Sequence, residues 1–357
     1  MKRYQAHLQV NEQSAAPTSF RHSSVHLSPV DPVDGNTTAT MEHHSYDGVG
    51  NGLTKSGAVA ACTAMAVFYV AILYSPTLIL RLPQPTSFKS FMVRRFVCAA
   101  VSSVVCLVYC SLVLPIRKWD ASLLFGVYGI RLDHAWQTLI YPISLTSCMY
   151  MGSFVRNLFS VLEARNEYLN AGGNPSLFCK NFLQRFINQA IPMVYSISSL
   201  RNYFVAPLTE ELVFRACMIP LLLCGGFSTS VVIFLCPTFF SLAHLNHFLE
   251  FYVREDYTFL KACSVVGFQL GYTVIFGAYA SFLLIRTGHL SAPLIAHIFC
   301  NFMGLPAMFS RRSGMVSVAF VAGMLGFLWL LFPLTNPLLY NNITGDCKCW
   351  HRYCSWS

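Results

Sequence analysis

The stretch FVCAAVSSVVCLVYCSLVLPI, residues 96–116, contains no Asp, Glu, Lys or Arg. A helix needs roughly 20 predominantly apolar residues to cross the hydrocarbon of a bilayer, so this stretch reads as a membrane span. Gly57 to Leu80 and Ala135 to Val155 are equally uncharged and long enough to do the same. Composition says this of the whole chain. Hydrophobic residues make up 55%, charged residues 11%, and mean hydropathy is +0.51, whereas soluble globular domains carry about 25% charge. The 24 Lys and Arg outnumber the 15 acids but are thinly spread. They read as charges flanking a membrane, and no basic face for nucleic acid is visible.

Further spans follow along the chain. Arg156 to Arg185 is polar and basic and suits a water-facing connection, and Phe186 to Val205 is only weakly apolar. Ala216 to Ala243 is uncharged but interrupted by Gly225-Gly226 and Pro237, which predicts two helices joined by a tight turn. Ala262 to Ile285, Leu290 to Phe309 and Gly314 to about Leu334 complete an all-α, polytopic membrane protein of about eight spans around a polar intramembrane cavity. A disordered tail is expected over residues 1–53, a membrane domain over 54–336 with its catalytic core at about 200–305, and a short tail over 337–357. The loop carrying Arg81, Lys89, Arg94 and Arg95, without acids, is the expected cytosolic loop. Most of the 14 cysteines lie inside apolar runs and read as small packing residues.

A carboxylate at the bilayer centre costs about 2.5–3.5 kcal/mol on insertion scales, so an embedded acid needs a reason. The aspartates all fall in tails or loops; only Glu210 and Glu211 are embedded, in APLTEELVFR, residues 206–215. Pro207 and Thr209 read as a helix start, which would put both acids near a positive dipole end. Glu211 and Arg215 are spaced for an ion pair on one helix face, leaving Glu210 to meet something else. Phe240, His244 and His247 close one apolar helix, and His297 and Asn301 are spaced i,i+4 in another. A carboxylate can take a proton from water, a histidine can orient that water, and a His/Asn pair can donate to an oxyanion. Glu210, His244 and His297 could also ligate a metal. Embedded acids and histidines also build proton relays, so a transporter or a non-enzymatic binding module is a further reading. HExxH and GxSG are absent, as is a pair of membrane aspartates.

The blocks Glu210-Glu211-x-x-x-Arg215, Phe240-x-x-x-His244 and His297-x-x-x-Asn301 resemble the three motifs of the Abi/CPBP membrane proteases. The text from Arg201 to Met218 and from Gly277 to Leu290 is similar to the Ras-converting CaaX endoproteases within that family. The resemblance implies a multi-pass endoplasmic-reticulum protease that removes the aaX tripeptide from prenylated CaaX proteins such as small GTPases, with its site facing the cytosol. It implies Glu210 as the base, His244 as its partner and His297 with Asn301 as oxyanion donors. Glu211 and Arg215 would support them, with Phe240 and His247 nearby. No cofactor is expected, though a metal is not excluded. Membrane lipid is an expected partner and nucleic acid is not.

Overall fold

The computed structural model describes residues 53–115, 121–245, 248, 252, 258–308 and 314–340. The expected tail at residues 1–53 therefore lies outside them but for Leu53, as do residues 341–357 and His247. Among the described residues the secondary structure is helical, without a strand. α1 (Lys55–Ala71) begins at Thr54, whose hydroxyl accepts the Gly57 N–H, and runs on through short turns to Leu78. α2 (Phe88–Val113) starts in the same way at Ser87. α3 (Ala121–Val127) precedes α4 (Ala135–Met149) and α5 (Met151–Asn170). α6 (Pro175–Val194) then leads to a composite rod at residues 197–224, followed by α10 (Thr229–Ala243). α11 (Phe259–Thr287), α12 (Ser291–Met303) and α13 (Gly314–Leu334) complete the chain.

Four helical stretches are long and apolar enough to cross a membrane: Lys55–Thr77, Phe88–Val113, Phe259–Thr287 and Gly314–Leu334. α10 and α12 are apolar but shorter. Another expected span is divided. Ala135 to Val155 breaks at Tyr150 into α4 and α5, and Tyr150 donates its hydroxyl to the Gly304 carbonyl at 2.5 Å. α13 turns Val318, Val321, Leu325, Leu328 and Trp329 outward. An exposed apolar face of this kind is stable only against lipid or another protein. The chain is an all-α multi-pass membrane protein.

The rod is the centre of the fold and departs from the expected helix start at Pro207. It begins at Ile197, capped by the Ser196 hydroxyl, so the two glutamates sit well inside it. Its pieces are α7 (Ile197–Leu200), a π-helical turn (Arg201–Val205), α8 (Ala206–Glu211), a second π turn (Leu212–Cys217) and α9 (Met218–Cys224). Proline lacks an N–H and its ring crowds the carbonyl four residues earlier. For Pro207 that residue is Tyr203, in the first π turn; for Pro220 it is Ala216, in the second. Each widened turn relieves one proline, so the rod continues where a strict α-helix would break.

Around the second π turn the cysteines do more than fill space. Cys236 of α10 donates its thiol to the Phe214 carbonyl at 2.7 Å, and Cys110 of α2 donates to that of Cys217 at 3.3 Å. Cys62 of α1 reaches the Met218 carbonyl at 3.9 Å. Three neighbouring helices thus supply weak donors to the irregular backbone, which must be satisfied where water is scarce. α9 is enclosed, with Met218 to Leu223 fully buried.

The segment from Arg286 to Leu290 closes α11. Gly288 takes the left-handed conformation (φ +68°) that a side chain disfavours, and its N–H caps the Leu284 carbonyl. The buried His289 bonds the Asp133 carbonyl at 3.0 Å, and the Leu290 N–H donates to Gly129. Burial alone would raise the Asp133 carboxyl, but hydrogen bonds and charge from Arg131, with the charge of His289, hold it below the usual carboxylate range.

Candidate active site

α8 carries the two acids, and the second π turn carries Arg215. α2, α10 and α12 pack around this part of the rod. Glu211 and Arg215 are both fully buried and form the expected i,i+4 pair, with Arg215 Nη1 3.1 Å from Glu211 Oε1. The guanidinium lies over the Phe240 ring, 4.3 Å from its centroid, and 6.0 Å from that of Phe276. Among the described residues no guanidinium nitrogen of Arg215 makes an aligned hydrogen bond, nor does Glu211 Oε2. Opposite charge and aromatic faces hold the arginine.

His297, on α12, makes the connection that spacing could not give. Its Nδ1 lies 2.7 Å from Glu211 Oε1, and its Nε2 lies 3.7 Å from Glu210 Oε2. Adjacent helical residues point about 100° apart, which favours separate tasks for the two acids. An imidazole presents nitrogens on two edges, however, and this ring stands between both glutamates. With Nδ1–H donated to the Glu211 carboxylate, Nε2 is the nitrogen turned to Glu210. The ring packs on Phe276 at 4.9 Å and is nearly buried.

His244 approaches from the C-terminus of α10. Its Nδ1 is 2.8 Å from the Phe240 carbonyl, which can only accept, so Nδ1 carries the proton and Nε2 is the basic nitrogen of the neutral ring. Phe240 touches both histidines, with ring centroids 4.7 Å from His244 and 6.4 Å from His297. A cavity of ≈ 90 Å³ has Glu210 and His244 in its wall, along with Tyr69, Arg95, Arg201 and Thr209. Tyr69 joins α1 to the rod: Thr209 donates to the Val205 carbonyl, so the Tyr69 hydroxyl donates to Thr209 at 3.1 Å. Asn301 follows His297 by one turn of α12. It is exposed and donates Nδ2–H to the Asn202 carbonyl at 2.8 Å, tying α12 to the first π turn.

The family of type II CAAX prenyl endopeptidases, Rce1-like, matches residues 192–303, the segment that holds Glu210, Glu211, Arg215, His244, His297 and Asn301. The chain is 56% identical over 309 residues to CAAX prenyl protease 2 of Arabidopsis thaliana, covering 86% of this chain and 99% of that protein. Against CAAX prenyl protease 2 of Homo sapiens it is 32% identical over 312 residues, covering 85% of this chain and 88% of the human protein. The chain belongs to the type II CAAX prenyl endopeptidases. It is a membrane-embedded hydrolase. The relative of Saccharomyces cerevisiae is 28% identical over 204 residues, 52% of this chain and 58% of the yeast protein. No solved structure gives a significant match.

Among the described residues no group of three or more His, Cys, Asp or Glu side chains is arranged to hold a metal ion. Tyr69, Arg95 and Phe276 were not legible as site residues of this endopeptidase, because each sits in or beside a long apolar run. Gly277 of α11 lies where α10 and Arg215 approach closely. A Cβ there would stand 2.8 Å from Pro237 Cβ and 3.1 Å from Arg215 Nη2. Gly277→Ala is expected to push α11 from α10 and displace Arg215, costing about 1–3 kcal/mol of stability. Peptidase activity should fall at least tenfold on the scale of small displacements at a reacting site. Activity and thermal stability of the purified variant at matched amounts check this, and wild-type values in both would refute it.

Proposed function

We propose that this chain hydrolyses the peptide bond after the prenylated cysteine of CaaX proteins, releasing the aaX tripeptide, with water activated by Glu210. The observation that carries the reading is the position of Glu210. It lines one cavity with His244 and on its other side faces His297, which Glu211 holds. Glu210 takes a proton as the water oxygen attacks the carbonyl carbon, and His244 Nε2 helps orient that water. The Glu211 carboxylate accepts the Nδ1–H of His297 and holds the ring as a candidate donor to the carbonyl oxygen on which charge develops. Asn301 keeps one amide N–H beyond its bond to Asn202 and is the second candidate donor. Collapse of the tetrahedral species expels the amine of the tripeptide, which recovers the proton from Glu210.

The substrate class comes from the names of the relatives, which are prenyl proteases. A prenyl tail belongs in hydrocarbon and a peptide C-terminus in water, so the scissile bond of such a substrate lies near the interface. The cavity suits both, since it combines Val70, Leu73 and Phe96 with charged groups. Arg95 lies in the second turn of α2, within the basic stretch expected on the cytosolic side, which supports a cytosol-facing site in the endoplasmic-reticulum membrane. Membranes containing the protein should release an intact aaX tripeptide from a farnesylated CaaX peptide, read by mass spectrometry, and retain that activity after exhaustive chelation. Binding of the peptide without tripeptide release would overturn the hydrolase reading, and loss of activity restored by one metal would overturn the water-and-glutamate mechanism.

A further inference from the structure

α6 takes no part in the catalytic proposal, and the elements it packs on most are α5 and α7, its neighbours in the chain. Its sequence, PSLFCKNFLQRFINQAIPMV, contains Lys180 and Arg185 and no acid. It has the length of a membrane span but not the hydropathy. At about 100° per residue, Cys179, Phe182, Leu183, Phe186, Ile187 and Ala190 gather on one face, and Asn181, Gln184 and Asn188 lie opposite. Lys180 and Arg185 stand at the two borders between these faces. Phe182, Leu183, Phe186 and Ile187 are all exposed, Phe186 by 60%. An amphipathic helix with basic borders lies in the plane of a membrane surface, because each face then meets the medium it suits.

The neighbouring elements fix which surface this is. α5 ends in the exposed charges Glu163, Arg165 and Glu167, and the chain turns back at Gly172 (φ +81°), where the Tyr168 and Phe178 rings meet at 5.6 Å. At the other end of α6 only Tyr195 and Ser196 precede the rod. Arg201, in the first π turn of the rod, shares a cavity wall with Arg95 near the start of α2. α6 therefore lies on the side of the basic stretch Lys89, Arg94 and Arg95, which the positive-inside rule assigns to the cytosol. The cytosolic leaflet is the one that carries anionic lipid.

We propose that α6 lies in the cytosolic surface of the bilayer, with Phe182, Leu183, Phe186 and Ile187 among the acyl chains and Lys180 and Arg185 on the headgroups of anionic lipids. The charges favour lipid over a protein groove, since both borders of the apolar face are basic and the helix offers no acid to a partner. Transmembrane elements before and after α6 hold it beside the bilayer, so docking needs no separate encounter. The anchor holds whatever bond the catalytic site breaks.

The test uses the full-length protein, one copy per nanodisc, and a membrane-impermeant maleimide whose adducts are located by mass spectrometry. Cys179 is an exposed thiol on the apolar face, and Asn188→Cys places another on the polar face. In phosphatidylcholine discs Cys179 should label at least about tenfold more slowly than Asn188→Cys, because docking hides it. Adding phosphatidylserine should slow Cys179 by about fivefold for each basic side chain, or about 25-fold for the pair. Lys180→Gln with Arg185→Gln should remove that lipid dependence. Phe182→Asp with Phe186→Asp should bring Cys179 to the Asn188→Cys rate in either disc. Cys217 and Cys236, buried in the bundle, should stay unlabelled in every variant and so report an intact fold. Equal labelling of Cys179 and Asn188→Cys in the absence of the aspartates would overturn the docking, and protection indifferent to phosphatidylserine would overturn the anionic anchor. Protection that appears only where several copies share a vesicle would assign the face to a second copy instead.

Discussion

Glu210→Gln is expected to lower tripeptide release at least 1,000-fold while the protein still accumulates and melts as wild type does. General-base catalysis by a positioned side chain contributes about 10²–10⁴-fold, and glutamine keeps the shape of glutamate but cannot take the proton. Glu210 is partly exposed to the cavity, with 18% of its side chain accessible, so neutralising it leaves no buried partner charge stranded. Glu211 contrasts with it, being fully enclosed against Arg215 and His297. The two adjacent acids should therefore separate in experiment: Glu210→Gln loses rate without stability, and Glu211→Gln loses both. His244→Ala should follow Glu210→Gln in direction, because it removes the second group placed to orient the water. Initial rates by mass spectrometry at matched protein amounts decide the matter. A Glu210→Gln protein retaining a tenth of wild-type rate would remove this residue as the base.

Hydropathy read the membrane architecture because lipid demands long uncharged runs, and α2 and α13 are nearly the stretches that composition marks out. It could not see that Ala135 to Val155 breaks, since no charge or proline stands at Tyr150, where the break coincides with a tertiary bond to Gly304. The rod shows the opposite failure. Pro207 suggests a helix beginning, yet the π turn preceding it lets the helix pass through. Glu211 with Arg215 was legible because i,i+4 spacing survives even across a widened turn. The meeting of His297 with both glutamates was not, because it depends on how α12 leans on α8, which no local pattern records. Asn301 shows the same limit from the other side: its spacing from His297 is right, but its amide bonds the backbone of the rod. Arg95 was hidden by its context, since an arginine beside a span looks like a flanking charge.

Arg215→Met is expected to destabilise the protein by about 3–5 kcal/mol, because it leaves the Glu211 carboxylate buried without its principal countercharge. A loss of that size corresponds to a drop of roughly 10 °C in Tm. The buried thiols of Cys110, Cys217 and Cys236 provide the readout, since a thiol-reactive dye labels them only as the surrounding helices separate. Replacing both partners, as Glu211→Leu with Arg215→Met, should recover most of the lost stability. Well-packed apolar residues often substitute for a buried ion pair at no net cost. Activity should not return with it, because Nδ1 of His297 would have lost the carboxylate that orients the ring toward Glu210. The pair thus has two separable consequences, a stability term that an apolar replacement reproduces and an electrostatic term that it cannot. A double variant that regains both stability and peptidase rate would show that Glu211 does nothing for His297. A double variant as unstable as Arg215→Met alone would show instead that the aromatic cage of Phe240 and Phe276 needs the guanidinium itself.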